Sequence, residues 1–365
     1  MDNSLFALGL MSGTSLDGID ASIIKSDGEN YLDIIDNKYL SYPVDLKKRL
    51  SYFINQINDK NDINENIGIY KSLEREITLY HAQISKNIID KNKCKIQVVG
   101  FHGQTIIHKP NDGYSVQMGD ANLLSQTLKQ KVIHNFRAND IKNGGEGAPL
   151  TPIYHKLLTT KFPTNNPILI LNIGGISNYS YCYKDKLIAS DVGPGNVLID
   201  EYLKKTKGLH YDKNGSIASS GNINQDIINH FYEHEFYNAK EKHSYDRKEF
   251  DFSFVRGLEF EDAIATLTYF TALIISKNIQ KKIKDEVDII LCGGGRKNLT
   301  LVKHLKKLLN SKIKLIDEFN IDGDFIESQA FAYLSIRSYL KMPISYPSTT
   351  NVNAPVTGGE IKINY

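Results

Sequence analysis

No glycine in this 365-residue chain is followed by a lysine. That excludes the GxxxxGK[ST] phosphate loop, whose lysine must reach the β/γ-phosphates. Cysteine is scarce: Cys94, Cys182 and Cys292 are odd in number and far apart. They support neither a disulfide framework nor a CxxC zinc site, and they fit a reducing cytoplasm. HExxH is missing too, which leaves a zinc reading of the histidines weak. No run of about 18 apolar residues occurs, so no membrane span is expected. The opening MDNSLFALGLMSG has no basic segment and too short an apolar run for a signal peptide. Lys+Arg 44 against Asp+Glu 42 leaves a net charge of +2, with no excess to attract nucleic acid or a membrane surface.

What is present reads as globular: 41% hydrophobic and 24% charged residues, in a chain long enough for two domains. Residues 4–11 read as a buried strand that ends at a Gly/Ser loop, with further strands at 21–25 and 31–42. Helices are expected over 44–59 and 66–90, where Ile69, Leu73, Ile77, Tyr80 and Ile84 keep helical spacing. A strand over 97–101 ends in HGQT, and 119–129 and 131–134 read as helix and strand. A similar passage then returns: strand 167–174, a glycine turn, an alternating strand, and strand 186–192. Such a repeat suggests duplicated halves. Helix 259–282, strand 287–292, a helix through 309 and helix 325–340 complete the reading.

The first glycine turn, GLMSGTSLDGID (9–20), lacks GxGxxG spacing and is followed by strand, not helix. Its backbone N–H groups and the hydroxyls of Ser12, Thr14 and Ser15 can surround an anion. The same residues also make an ordinary hairpin, signalled by Asp17-Gly18. LNIGGISN (171–178) and ILCGGGRKN (290–298) add two more glycine turns, where backbone can approach a phosphate or a flat ring. DVGPGNVLID (191–200) puts Asp191 beside such a loop, where a carboxylate orients Mg²⁺ or its waters or simply caps a turn.

In RANDIKNGGEGAPLTP (137–152), Asp140 precedes a glycine cluster, and a kinase needs a carboxylate to take a proton from the attacking oxygen. A solvated loop aspartate is the plainer reading. HGQTIIHKP (102–110) and QMGD (117–120) bring polar side chains to strand ends, which suits a sugar. Asp324 and Glu327 have the spacing of a capping box, and Glu327 is otherwise a second carboxylate for a cleft.

With GFHGQTIIHKP, VQMGDANLLSQ, SDVGPGNVLID, CGGGRKN, DFIESQAFAYL and NAPVTGGEI in the same order, the chain resembles the anhydro-N-acetylmuramic acid kinases of bacterial cell-wall recycling. The resemblance implies a two-domain α/β actin/hexokinase/Hsp70-like ATPase fold, a duplicated ribonuclease H-like architecture with ATP in an interdomain cleft. The expected domains are 1–135, completed by 341–365, and 136–340. It implies that ATP, water and 1,6-anhydro-N-acetylmuramic acid give N-acetylmuramic acid 6-phosphate and ADP, in a cytoplasmic, Mg²⁺-dependent homodimer.

The residues implied follow the motifs. Gly13, Thr14, Ser15, Leu16, Asp17, Gly18, Ile19 and Asp20 would hold the ATP phosphates, with Asn172, Gly174, Gly175, Gly193 and Gly195 in the second loop pair. Gly293, Gly294 and Gly295 would sit by the adenosine. Asp140 matches the catalytic base, and Glu327 a carboxylate near the water and sugar. His102, Gln104, Gln117 and Asp120 would line the sugar pocket, and Asp17, Asp20 and Asp191 would orient Mg²⁺, through water. Two positions depart from the family: Asn135 stands where Asp is usual, and GGEG replaces GGQG, which puts Glu146 near the site. Another sugar kinase of the same fold, a nucleotide-dependent assembly protein and a plain glycosidase are the competing readings.

Overall fold

The computed structural model describes residues 4–233 and 250–365. Two compact units divide it: 1–160 with 325–365, and 161–324. The first boundary falls later than the 135/136 read from the sequence, and the second falls earlier than 340/341. The reason is local packing. The helix Ile326–Tyr339 lies directly on the first sheet: a Cβ on Gly9 would stand 1.9 Å from Ser328 O, and one on Gly100 2.2 Å from Phe331 O. Only glycine lets the strands come that close.

The first unit carries β1 (Leu5–Ser12), β2 (Gly18–Ser26), β3 (Leu32–Ser41), β4 (Val98–Lys109), β5 (Tyr114–Met118) and β6 (Val132–His134). In the sheet β3, β2, β1, β4 and β6 follow one another, and the C-terminal strand Glu360–Lys362 extends the β6 edge. β1–β2 and β2–β3 are antiparallel, while β4 and β6 run parallel in sequence beside β1. Helices Val44–Gln56 and Ile67–Asn92 bring Leu46, Leu50, Phe53, Leu73, Ile77 and Ile84 into one core with Leu8, Leu10 and Val99.

The second unit repeats the plan. β7 (Ile168–Ile173), β8 (Ile176–Tyr183), β9 (Lys186–Pro194), β10 (Asp288–Cys292) and β11 (Lys312–Leu315) stand in the order β9, β8, β7, β10, β11. Again the first three strands form an antiparallel meander and the last two run parallel to the first. The shared order and strand sense are the duplicated ribonuclease H-like architecture. Helices Phe260–Lys282 and Leu299–Leu308 cover the sheet through Ala272, Ile275, Leu301 and Leu305, packed on Leu169, Leu171 and Leu291. Burial on both faces explains why β7 reads ILILNI without polar alternation.

Two elements differ from the sequence reading. β4 does not stop at Phe101; it runs to Lys109 and pairs with β5, so HGQTIIHK is strand and not a loop. β9 likewise continues past Val192, which places Asp191 inside the strand, opposite Asn178.

Candidate active site

The first glycine turn is the β1–β2 connection. Leu16 N donates to Gly13 O, and Leu16 itself takes a left-handed backbone (φ 58) to tuck its side chain inward. Thr14 and Ser15 remain exposed at the tip. Ser12 does not join them. Its Oγ is buried between Tyr42 Oη (3.0 Å) and His81 Nε2 (2.9 Å), so this hydroxyl anchors the loop's base and does not face an anion. Ile19 is fully buried, and Gly18, Ile19 and Asp20 are paired into the ladder with β3. The stretch outside the strand ladders is thus 13–17.

Asp17 carries a finding that the missing Gly-Lys pair hid. Lys47, from the helix Val44–Gln56, forms an ion pair with the Asp17 carboxylate. Asp17 O also accepts from Tyr39 Oη (2.9 Å) and Tyr42 N (2.9 Å). The loop therefore has a lysine nearby, supplied by a helix and already engaged with a carboxylate.

Gln104 reaches the same loop from β4: its Nε2 donates to Gly13 O at 3.2 Å, and its buried Oε1 has no hydrogen-bond partner among the described residues. Further along β4 and β5, His108 Nδ1 lies 3.0 Å from Ser115 Oγ, which also accepts from Gln117 Nε2 (2.7 Å). His102 and Gln117 line a cavity of about 250 Å³ together with Lys60, Gly119, His134 and Asn135. Asp120 is not part of that lining. It is the N-cap of helix Ala121–Leu128, accepting from Asn122 N (2.9 Å) and Leu123 N (3.0 Å).

Asp140 is not a solvated loop residue. It sits in the short helix Ala138–Lys142, 1% exposed. Its Oδ1 accepts from Gly147 N (2.6 Å) and its Oδ2 from Thr350 Oγ1 (2.5 Å). The glycine cluster has a concrete reason: a Cβ on Gly145 would stand 2.2 Å from Asp140 Oδ1. The two donors engage both carboxylate oxygens.

Glu327 opens helix Ile326–Tyr339, but not as part of a capping box. The residue at the cap is Phe325, with no side-chain cap, and Asp324 instead accepts from Arg296 Nη1 at 2.6 Å. Glu327 is thereby left available. Burial raises its carboxyl above the ordinary value, and the Arg137 guanidinium only partly offsets this. Burial in turn pulls Arg137 down to about 10, against the pull of Glu327 and Asp140. Arg137 donates to Gly147 O (2.8 Å) and to His102 Nε2 (2.9 Å), while its buried Nε lacks a partner among the described residues. His102 stays neutral: burial and then Arg137 hold it well below the usual histidine range. So one cation and two carboxylates of unlike environment share this region of the first unit. That is the pattern by which acid and base roles separate.

In the second unit the three remaining glycine turns converge. Gly195 N donates to Gly175 O (2.8 Å) and Asn196 N to Gly174 O (2.8 Å). A Cβ on Gly195 would stand 2.2 Å from Gly174 O. On the other side of β7, a Cβ on Gly293 would meet Asn172 Oδ1 at 2.3 Å, and one on Gly295 would meet Ile173 at 2.2 Å. Gly193 belongs to β9 and not to the turn; its Cβ would meet Ile274. Arg296 fixes the third turn, with Nε and Nη2 on Asp317 (2.7 and 2.9 Å) and Nη1 on Asp324 and on Gly293 O (3.0 Å). The guanidinium is thus engaged in holding the loop's shape.

No group of three or more His, Cys, Asp or Glu among the described residues is arranged to hold a metal ion. Asp17, Asp20 and Asp191 are half-buried or exposed carboxylates on separate strands and turns.

A sequence model of the family described as anhydro-N-acetylmuramic acid kinase matches residues 5–364. The chain belongs to the anhydro-N-acetylmuramic acid kinase family. A relative from Pelagibacter ubique, called by that name, is 47% identical over 375 residues and covers all of both chains. One from Zymomonas mobilis, with the same name, is 39% identical over 368 residues, covering 98% of this chain and 99% of its own. Among solved structures, the activator of the 2-hydroxyisocaproyl-CoA dehydratase from Clostridium difficile, with bound ADPNP, aligns with a TM-score of 0.45 at 13% identity over 91% of this chain and 94% of its own.

Within this family member, sequence reasoning overlooked Arg137, Lys47 and Thr350. Arg137 stood inside a quoted motif, and an arginine three residues before a candidate base was the available signal. Lys47 and Thr350 reach their partners from 30 and 210 residues away, beyond any spacing rule.

Proposed function

We propose that this protein is an ATP-dependent kinase that converts 1,6-anhydro-N-acetylmuramic acid and water to N-acetylmuramic acid 6-phosphate, releasing ADP. The observation that carries the reading is Asp140: buried, gripped by two donors, and close enough to Arg137 to act on that guanidinium, as Glu327 also does, in a chain matched end to end by the family. Asp140 takes a proton from water as the water oxygen bonds to the anomeric carbon. The bond from that carbon to O6 breaks, and O6 takes the γ-phosphoryl group. Because O6 leaves as a nucleophile, no separate acid is needed to protonate it.

Glu327 and Arg137 orient water and sugar and balance charge beside Asp140. Gln117, which shares a cavity with His102, binds a sugar hydroxyl while His102 holds Arg137 in place, and the unpartnered Oε1 of Gln104 is a further acceptor for one. In the first unit the exposed Gly13–Asp17 turn offers backbone N–H groups and the Thr14 and Ser15 hydroxyls to phosphate. In the second, the turns at Gly174–Gly175, Gly195 and Gly293–Gly295 accept parts of the nucleotide. Mg²⁺ would be held by phosphate oxygens with Asp20 or Asp191, through water, and would offset phosphate charge. Asp17 is the weaker choice because Lys47 already neutralises it. The cytoplasm and a homodimeric state accompany this reading; no helix among the described residues is long and apolar enough to cross a membrane.

The test is sugar-dependent ADP release with 1,6-anhydro-N-acetylmuramic acid, with mass spectrometry of the product. A sugar 6-phosphate one water heavier than phosphorylated substrate supports the reading. ADP release that does not depend on the sugar contradicts it.

A further inference from the structure

Asp140 is held from a part of the chain that no catalytic motif includes. Thr350 ends the one-turn helix Pro347–Thr350 and is fully buried. Besides its hydroxyl contact to Asp140 Oδ2, its carbonyl accepts from Glu146 N at 2.7 Å. Neighbouring residues repeat the grip. Asn351 Nδ2 donates to Glu146 Oε1 (2.6 Å), Asn353 Nδ2 to Asn143 O (3.2 Å), and Thr357 O accepts from Asn139 Nδ2 (2.6 Å). The strap is itself anchored, since Arg337 Nη2 donates to Tyr346 Oη at 2.9 Å and Thr350 N to Tyr346 O at 3.1 Å.

We infer that Thr350 is a positioning residue for the reaction, acting through Asp140. The inference rests on Asp140 being the base. One donor leaves a carboxylate free to turn about its Cβ–Cγ bond. Two donors on different oxygens, Gly147 N and Thr350 Oγ1, fix its plane and so fix which lone pair faces the water. At 1% exposure, solvent does not readily replace a lost donor. A misplacement of about 1 Å at such a centre costs about 10²-fold in rate.

The experiment compares Thr350→Val, which keeps the shape and removes the hydroxyl, with Thr350→Ser, which keeps the hydroxyl. Thr350→Val is expected to lower kcat roughly 10- to 100-fold with the KM for ATP within about twofold, while Thr350→Ser stays within about threefold of wild type. Adding Thr350→Val to Asp140→Asn should change the residual rate by less than about twofold, because the group being positioned is gone. Near-normal turnover in Thr350→Val, equal damage in Thr350→Ser, or multiplicative losses in the double variant each overturn the inference. Thermal melting reports folding, and Thr350→Ala, judged by the same outcomes, replaces Thr350→Val where that variant does not fold. If wild type shows no sugar-dependent ADP release, the functional reading fails and takes this one with it. If wild type is active and Thr350→Val matches it, only the positioning role fails.

Discussion

Arg137 Nη2 lies 2.9 Å from His102 Nε2, and this contact fixes the histidine's chemistry. Guanidinium can only donate, so Nε2 must accept. His102 Nδ1, 2.7 Å from Gly103 O, must then carry the proton. His102 is therefore a neutral imidazole that supports Arg137, and is not a general acid near neutral pH. Arg137→Met should remove the cation shared by Asp140 and Glu327 and strip His102 of its donor. Turnover should fall about 10²-fold, as for loss of one charge-stabilising donor, with ATP affinity kept. Steady-state kinetics alongside direct nucleotide titration check this; an equal loss of ATP affinity would point to unfolding of the region.

Glu146 stands where the resemblance implies glutamine, and its Oε1 accepts from Asn351 Nδ2 at 2.6 Å. A glutamine oxygen accepts in the same way. Glu146→Gln should leave kcat within about threefold of wild type and stability within about 0.5 kcal/mol. A large change in the pH–rate profile of that variant would show that the charge acts on the site.

The second unit offers an independent test of nucleotide binding. Gly195→Ala puts a methyl group 2.2 Å from Gly174 O, a backbone atom that cannot swing away. The two turns must separate. The KM for ATP should rise about tenfold or more, in line with the sensitivity of oriented sites to small displacements, while far-UV circular dichroism stays native. An unchanged KM would remove these turns from the nucleotide site.

Acid should destabilise the fold earlier than its carboxylates predict. Burial holds His81 and His108 near 4 and His155 near 3, against an ordinary 6.5. Below pH 6.5 the unfolded chain takes up protons that the folded chain refuses, so stability falls as pH falls toward 4. The slope is up to about 1.4 kcal/mol per pH unit for each such histidine. Glu327, raised by burial, works in the opposite sense above its ordinary value, but it is one group against several. Urea unfolding at pH 7, 6 and 5 measures the slope; a flat profile over that range would contradict the burial.

The sheets and glycine turns were legible because apolar runs such as ILILNI and the glycines that end them are local signals. The duplication was legible for the same reason. Other features needed the folded chain. HGQTIIHK looks polar enough for a loop, yet it is a strand because β5 returns to pair with it. Asp324 and Glu327 have capping-box spacing, but Arg296 takes the aspartate, since a charge-assisted bond outweighs a cap. Ser12 reads as a phosphate ligand until Tyr42 and His81 enclose it. Thr350 had no signal at all, because its meaning lies in a partner 210 residues earlier.

In the proposed reaction one carboxylate, Asp140, activates water while O6 is phosphorylated. Reaction in ¹⁸O-water with ATP and 1,6-anhydro-N-acetylmuramic acid, followed by mass spectrometry of the 6-phosphate under conditions where free-sugar exchange is controlled, tests it most directly. One ¹⁸O is expected at the anomeric carbon, formed with one ADP per sugar, with a loss of roughly 10²-fold or more in that rate for Asp140→Asn. A phosphorylated product with the anhydro bridge intact, or wild-type turnover by Asp140→Asn, would contradict it.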